Sequence, residues 1–115
     1  MTSDEMKQRT KAFAINVAKL TQKLPDNTIN RAYCGQIIRS SSSVGANYRA
    51  SRRAKSNADF INKLKIVEEE LDESLFFLEL LVAFNEKFRD EIAILYKEGE
   101  SILKIIVASI KSSRK

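Results

Sequence analysis

The chain of 115 residues is 43% hydrophobic and sets 20 lysines and arginines against 15 acids, with one cysteine and no histidine. That length suits one domain and that apolar fraction fills a core, so neither a second domain nor a disordered basic tail fits. The lone Cys34 excludes an intramolecular disulfide. The missing histidine removes the usual zinc set, the commonest general base and the Ser–His and Cys–His nucleophilic pairs, so no metal, cofactor or catalytic residue is expected.

The net charge of +5 is unevenly spread. Up to Ser56 there are 11 bases and 3 acids, a net of +8; beyond it 9 bases and 12 acids give −3. No apolar run approaches membrane-spanning length, and the polar, acid-bearing start from Met1 to Lys11 is unlike a signal peptide. A cytoplasmic protein without a membrane partner is expected. One proline and three glycines favour long helices over a turn-rich β architecture.

Helix 1 is predicted over 4–24. Thr2 and Glu5 have capping-box spacing, and Met6, Phe13, Val17, Leu20 and Leu24 form one apolar stripe before Pro25 breaks the chain. Helix 2 is predicted over 29–53, capped by Asn27 or Thr28, with Ile29, Tyr33, Ile37, Val44 and Tyr48 on its apolar face. Gly35, Gly45 and the run Ser40 to Ser43 make it a poor intrinsic helix, so packing must hold it, and a Ser/Gly linker is the rival reading. Helix 3 is predicted over 57–85, started by Ser56 and Asp59, with Phe60, Leu64, Val67, Leu71, Leu78 and Val82 inward. Helix 4 is predicted over 90–112, with Ile92, Leu95, Gly99, Ile102, Leu103, Ile106 and Ile110 inward and Arg114 and Lys115 just beyond it. Four helices of similar length and short connections predict an all-α, antiparallel up-down-up-down bundle as a single domain over 1–115.

Leu75 to Phe84 reads LFFLELLVAF, with Glu79 as its only charge. Leu78 and Val82 fit the inner stripe, whereas Phe76, Phe77, Leu80 and Phe84 point elsewhere, as do Ile15, Ile94 and Ile105 on helices 1 and 4. Single exposed apolar residues are ordinary. Adjacent phenylalanines with aliphatic surface beside them instead predict a homo-oligomer whose interface is Phe76, Phe77, Leu80 and Phe84.

On a helical wheel Arg31, Arg39, Arg49, Arg52 and Arg53 share an arc of about 140° opposite the apolar face of helix 2, with Gly35, Ser42 and Gly45 on the same arc. Together with Lys55 they are the expected nucleic-acid contacts, since clustered arginine suits phosphate. Two other readings apply to them. Cations are favoured at a helix C-terminus, and the acids Glu68, Glu69, Glu70, Asp72 and Glu73 offer partners on a neighbouring subunit. The aromatic ladders and Gly-rich motifs of common RNA-binding modules are missing.

Gln36, Ser40, Ser43 and Asn47 follow i, i+4, i+7, i+11 and are expected as buried polar residues, with Asn47 fixing register and Glu68 and Glu79 accepting hydrogen bonds. A catalytic serine has no base to activate it. A bundle-type carboxylate metal site lacks its histidine, and Cys34 reads as a packed small residue.

The stretch from Asn30 to Asn62, with Gln36, Arg39-Ser40, Ser43-Val44-Gly45-Ala46-Asn47, Arg49 and Phe60, is where the sequence resembles a known family. Val67 to Ser74 (VEEELDES) and Leu78-Glu79-Leu80-Leu81 extend the likeness. It resembles the bacterial four-helix bundle proteins encoded in intervening sequences of 23S rRNA genes, and the accessory proteins of diversity-generating retroelements look similar. The resemblance implies a four-helix protomer assembling into a ring, commonly a pentamer, with basic surface suited to nucleic acid. Members often carry an acidic residue and a glycine shortly after the Asn; here Arg49-Ala50-Ser51-Arg52-Arg53 makes that end more basic. The expected function is a non-enzymatic oligomeric bundle binding structured RNA or DNA through arginine. The alternative is a scaffold whose basic half docks an acidic protein partner or a neighbouring subunit.

Overall fold

The computed structural model describes residues 1–114; Lys115 lies outside them. Four helices, α1 (Ser3–Lys23), α2 (Thr28–Ser51), α3 (Asn57–Phe84) and α4 (Arg89–Ser113), account for nearly all of the chain, and a single 3₁₀ turn, Glu86–Phe88, leads into α4. There is no strand among the described residues. Each boundary has a local cause. Thr2 and Glu5 form the full capping box, with Thr2 Oγ1 accepting from the Glu5 amide and Glu5 accepting from the Thr2 amide. Reciprocal bonding to Thr2 holds the Glu5 carboxyl below its ordinary pKa. Asn27 caps α2 through the Asn30 amide, and Ser56 caps α3 through the Asp59 amide. α2 stops at Ser51 because its last turn tightens to i→i−3 bonds from Arg52, Arg53 and Ala54.

The helices form a square in which the diagonal pairs α1/α3 and α2/α4 make no close backbone contact, in an envelope of 45 × 21 × 20 Å. Neighbours run antiparallel: Asn30 meets Asn85 and Ser40 meets Ser74 between α2 and α3, while Arg9 meets Glu98 and Lys23 meets Glu91 between α1 and α4. The predicted stripes of α1, α3 and α4 supply most of the core, with Phe60, Val82 and Leu103 only half-buried against it and Leu75 and Leu81 of α3 buried outside the expected stripe. Phe13, Val17, Ile37, Val44, Leu64, Val67, Leu71, Leu78, Leu81, Ile102 and Ile106 are almost fully buried. Each large aliphatic among them contributes about 1.5–3 kcal/mol of burial. This enclosure keeps α2 helical despite its glycines and serines, so the linker reading is set aside. Ile29 departs from its expected inward place: it is exposed in the first turn of α2, and the buried position there belongs to Asn30.

Two glycines set how closely the helices approach. A Cβ on Gly45 would sit 3.5 Å from Thr10 Oγ1, so α1 and α2 are near contact at that level. A Cβ on Gly99 would come within 2.9 Å of Leu75 Cδ2 and 3.3 Å of the Phe13 ring, so α4 packs there only because the residue is glycine.

Candidate functional site

The six expected phosphate contacts do not form one surface. Arg31 lies at the start of α2 and pairs with Asp26 at 2.7 Å. It is about 27 Å along the helix from Arg49, although the two share a wheel angle. Arg39 forks onto Glu70, at 2.9 Å, and Glu73 of α3 in its own chain, and this pairing raises its pKa above the ordinary arginine value. The acidic cluster expected to meet arginines of a neighbouring subunit is thus partly used within the protomer. The Arg52 guanidinium lies 5.7 Å from the centroid of the Phe60 ring, a cation–π contact that closes the α2–α3 connection. Lys55 is exposed beyond the end of α2, its amide donating to the Asp59 carboxylate.

Arg49 and Arg53 face α1 instead. They line a groove of about 770 Å³ with Asp4, Lys7, Gln8, Ala46 and Ala50. A second hollow of about 290 Å³ continues it, sharing Lys7, Ala46 and Arg49 and adding Lys11, Ala14, Ser42 and Gly45. Lys11, Arg49 and Arg53 make no ion pair among the described residues, and Lys7 has only Asp4, at 4.0 Å. Four cations therefore converge on one groove that holds a single acid. The α1 lysines were not among the expected contacts. Their i, i+4 spacing across from the small residues of α2 was the available signal, legible only once α1 and α2 were paired.

The apolar surface expected between subunits is present on the protomer. Phe76 and Phe84 are 53% and 56% exposed on the outer side of α3, with Phe77 and Leu80 half-buried between them. The Phe77 and Phe84 rings each lie 6.1 Å from that of Tyr33 on α2, and Phe76 packs edge-on against Phe77 at 5.6 Å. Across the bundle Ile94 is 69% exposed, beside a hollow lined by Asn16, Lys19, Leu20, Lys23 and Glu91. Ile15 is also exposed, whereas Ile105 is half-buried against the core.

The polar interior is arranged differently from the expected set. Ser40 is fully buried and shares a 2.8 Å hydrogen bond with Ser74 of α3, which itself donates to the Glu70 carbonyl. Ser43 and Asn47 are half-buried and bond only to each other and to their own helix, so Asn47 fixes no register. Gln36 is exposed. On the wheel it falls about 100° from the centre of the buried face of α2. Glu79 accepts from the Tyr96 hydroxyl at 3.0 Å rather than from a serine, and Glu68 accepts no side-chain bond from α2. Register between α2 and α3 is carried instead by Asn30 and Asn85, whose amides exchange two hydrogen bonds of 2.9 and 2.8 Å inside the bundle end.

None of this resembles a catalytic constellation. The Ser40 hydroxyl is spent on Ser74, Ser41 donates to a carbonyl of its own helix, and Ser43 is held by Asn47. Burial pushes the Cys34 thiol above its ordinary pKa, away from thiolate reactivity. Among the described residues no group of three or more His, Cys, Asp or Glu side chains is placed to hold a metal ion.

Fold and surfaces together define a four-helix up-down bundle with a basic groove on one side and an exposed aromatic face on another. Residues 3–108 match the family described as 23S rRNA-intervening sequence protein, and the chain belongs to that family. It is also similar to a solved structure from Bacteroides thetaiotaomicron, described as a protein of unknown function from the S23 ribosomal protein family. The two share 32% identity and a TM-score of 0.84, over 96% of this chain and 99% of that one. No curated protein matches the sequence significantly.

Proposed function

We propose that the protein is a non-enzymatic, oligomeric bundle that binds structured RNA or DNA through the basic surface formed by α1 and the C-terminal half of α2. The observation that carries this is the convergence of Lys7, Lys11, Arg49 and Arg53 on a groove with one acid, Asp4, while Arg52, Arg53 and Lys55 extend the charge past the helix end. Cations without internal partners gain most from phosphate, through direct pairing and counterion release. No described helix is long and apolar enough to cross a membrane, and the proposed setting is the cytoplasm. Replacing Arg49, Arg52 and Arg53 by Ala is expected to weaken binding to structured RNA and duplex DNA and to flatten its salt dependence. Unchanged binding would overturn the site, and wild-type protein with no nucleic-acid affinity near 100 mM salt would favour the acidic-protein scaffold instead.

For assembly we propose a ring, with the pentamer that the family resemblance implies. Phe76, Phe77, Leu80 and Phe84 lie on the α3 side and Ile94 lies on the opposite α1–α4 side. The contacts of Tyr96 with Glu79 and of Gly99 with Leu75 set Ile94 level with Leu80, at the middle of the aromatic patch. Two different patches at one level suit a heterologous contact, which closes into rings. Light scattering on wild type and on a Phe76→Ser/Phe84→Ser variant tests this: the variant should lose mass while keeping its helix content, and a monomeric wild type would refute the assembly.

A further inference from the structure

Resting on the nucleic-acid reading, we infer that the α1–α2 groove seats one sugar–phosphate strand of an intact duplex, gripping phosphates and reading no bases. Three features of the groove lead there. First, its cations are staggered along it: Lys7 and Lys11 stand one helical turn or about 6 Å apart on α1, Arg49 of α2 lies across from Lys7, and Arg53, just past the end of α2, extends the line toward Asp4. The groove runs about 15 Å along α1 from Asp4 to Ala14, long enough for a short run of consecutive phosphates on one strand. Second, no aromatic residue lines either part of it. The exposed rings of Phe76 and Phe84 lie on α3, so unstacked bases would find no platform beside these cations. A duplex keeps its bases stacked on each other and loses nothing by this. Third, the floor is Gly45, Ala46 and Ala50, with Ala14 opposite, and small side chains let a backbone settle between the two cationic rims. The polar groups left for reading an edge are Gln8, Ser42 and Asp4, too few and too scattered along the groove for a base code.

Four phosphate contacts per protomer give a log–log salt slope of about −3.6 for each engaged protomer, a loss on the order of a hundredfold between 50 and 200 mM salt. The test compares a 20-base-pair duplex, as RNA and as DNA, with unstructured 20-nucleotide poly-U, for wild type, Lys7→Ala/Lys11→Ala and Asp4→Asn. All three proteins are first checked for helix content and mass. The inference expects duplex binding at least about tenfold tighter than poly-U and insensitive to scrambling the duplex sequence. It expects the double variant to lose about 1.8 of the slope per engaged protomer. Asp4→Asn should bind roughly fivefold tighter, a gain that misfolding cannot mimic. Poly-U binding as tightly as duplex overturns the inference while leaving the nucleic-acid reading in place, and so does duplex binding whose slope ignores Lys7 and Lys11. Failure of wild type to bind any probe overturns both.

Discussion

Removing the Asn85 side chain tests how the bundle is held in register. Asn30 and Asn85 are 3% and 5% exposed, and their amides are saturated. Asn30 Nδ2 donates to the Pro25 carbonyl and to Asn85 Oδ1, and Asn85 Nδ2 donates to Asn30 Oδ1 and to the Leu81 carbonyl, at 2.8–2.9 Å throughout. The pair therefore ties the α1–α2 loop, the start of α2 and the end of α3 at one point. In Asn85→Ala, Asn30 keeps Pro25 but loses a partner for its carbonyl and for one N–H. At about 1–3 kcal/mol for each of these two buried groups left unpaired, the cost is roughly 2–6 kcal/mol. That is a large part of the ~5–15 kcal/mol of a typical domain, and about 10 °C or more in Tm for a chain of this size. Urea unfolding followed by far-UV circular dichroism measures it. A cycle of Asn30→Leu, Asn85→Leu and Asn30→Leu/Asn85→Leu isolates the coupling, since an apolar pair removes both sets of unmet groups. A loss under 0.5 kcal/mol for Asn85→Ala, or strictly additive singles, would refute the register role.

Glycine substitutions should separate by position. Gly35→Ala, with nothing within 4 Å of the new Cβ, should stabilise by about 0.5–1 kcal/mol, whereas Gly99→Ala should destabilise by roughly 1–3 kcal/mol through contact with Leu75 and Phe13, both read from urea midpoints. Tyr48 is buried, and desolvation raises its pKa despite the opposing charge of Arg52. The folded state thus holds that proton more tightly, so this contribution is full below about pH 10 and lost as pH rises through the folded pKa. Tyr48→Phe should match wild type at neutral pH and lose less stability in alkaline urea titrations; parallel curves would contradict the assignment. Arg39→Ala should change the nucleic-acid salt slope by clearly less than the ~0.9 of a full phosphate contact, because Glu70 and Glu73 already occupy its guanidinium. A full unit lost would show that the pairing opens on binding.

Much of the fold is written locally. The Thr2, Asn27 and Ser56 caps and the stripes of α1, α3 and α4 depend on residues within one turn of each other, and the structure follows them to within about two residues at each end. What failed to read was relational. A wheel drawn for α2 alone gives Arg31 and Arg49 one angle and discards the length between them, and it cannot show that Arg39 faces Glu70 and Glu73. Gln36 followed the spacing of the buried serine but is exposed, about 100° from the centre of the buried face. Asn30 and Asn85 are 55 positions apart at element ends, where periodicity has nothing to say about register. Lys7 and Lys11 gained meaning only when the close approach at Thr10 and Gly45 set α1 beside α2.

The placement of the surfaces bears on how the proposed assembly and the proposed binding relate. The aromatic patch lies on the outer side of α3 and Ile94 on the α1–α4 side, both toward the Asn85 end. The cationic groove lies between α1 and α2, around the start of the one helix and the end of the other, toward the opposite end. Subunit contacts through the first two leave the third open, and symmetry presents every groove on the same side of a closed ring. Assembly then adds no phosphate contact to a given protomer; it raises affinity by tethering several grooves to one duplex at high effective concentration. Phe76→Ser/Phe84→Ser should accordingly weaken binding to a long duplex much more than to one just long enough for a single groove, and equal losses on both would place the aromatic patch in the nucleic-acid site itself.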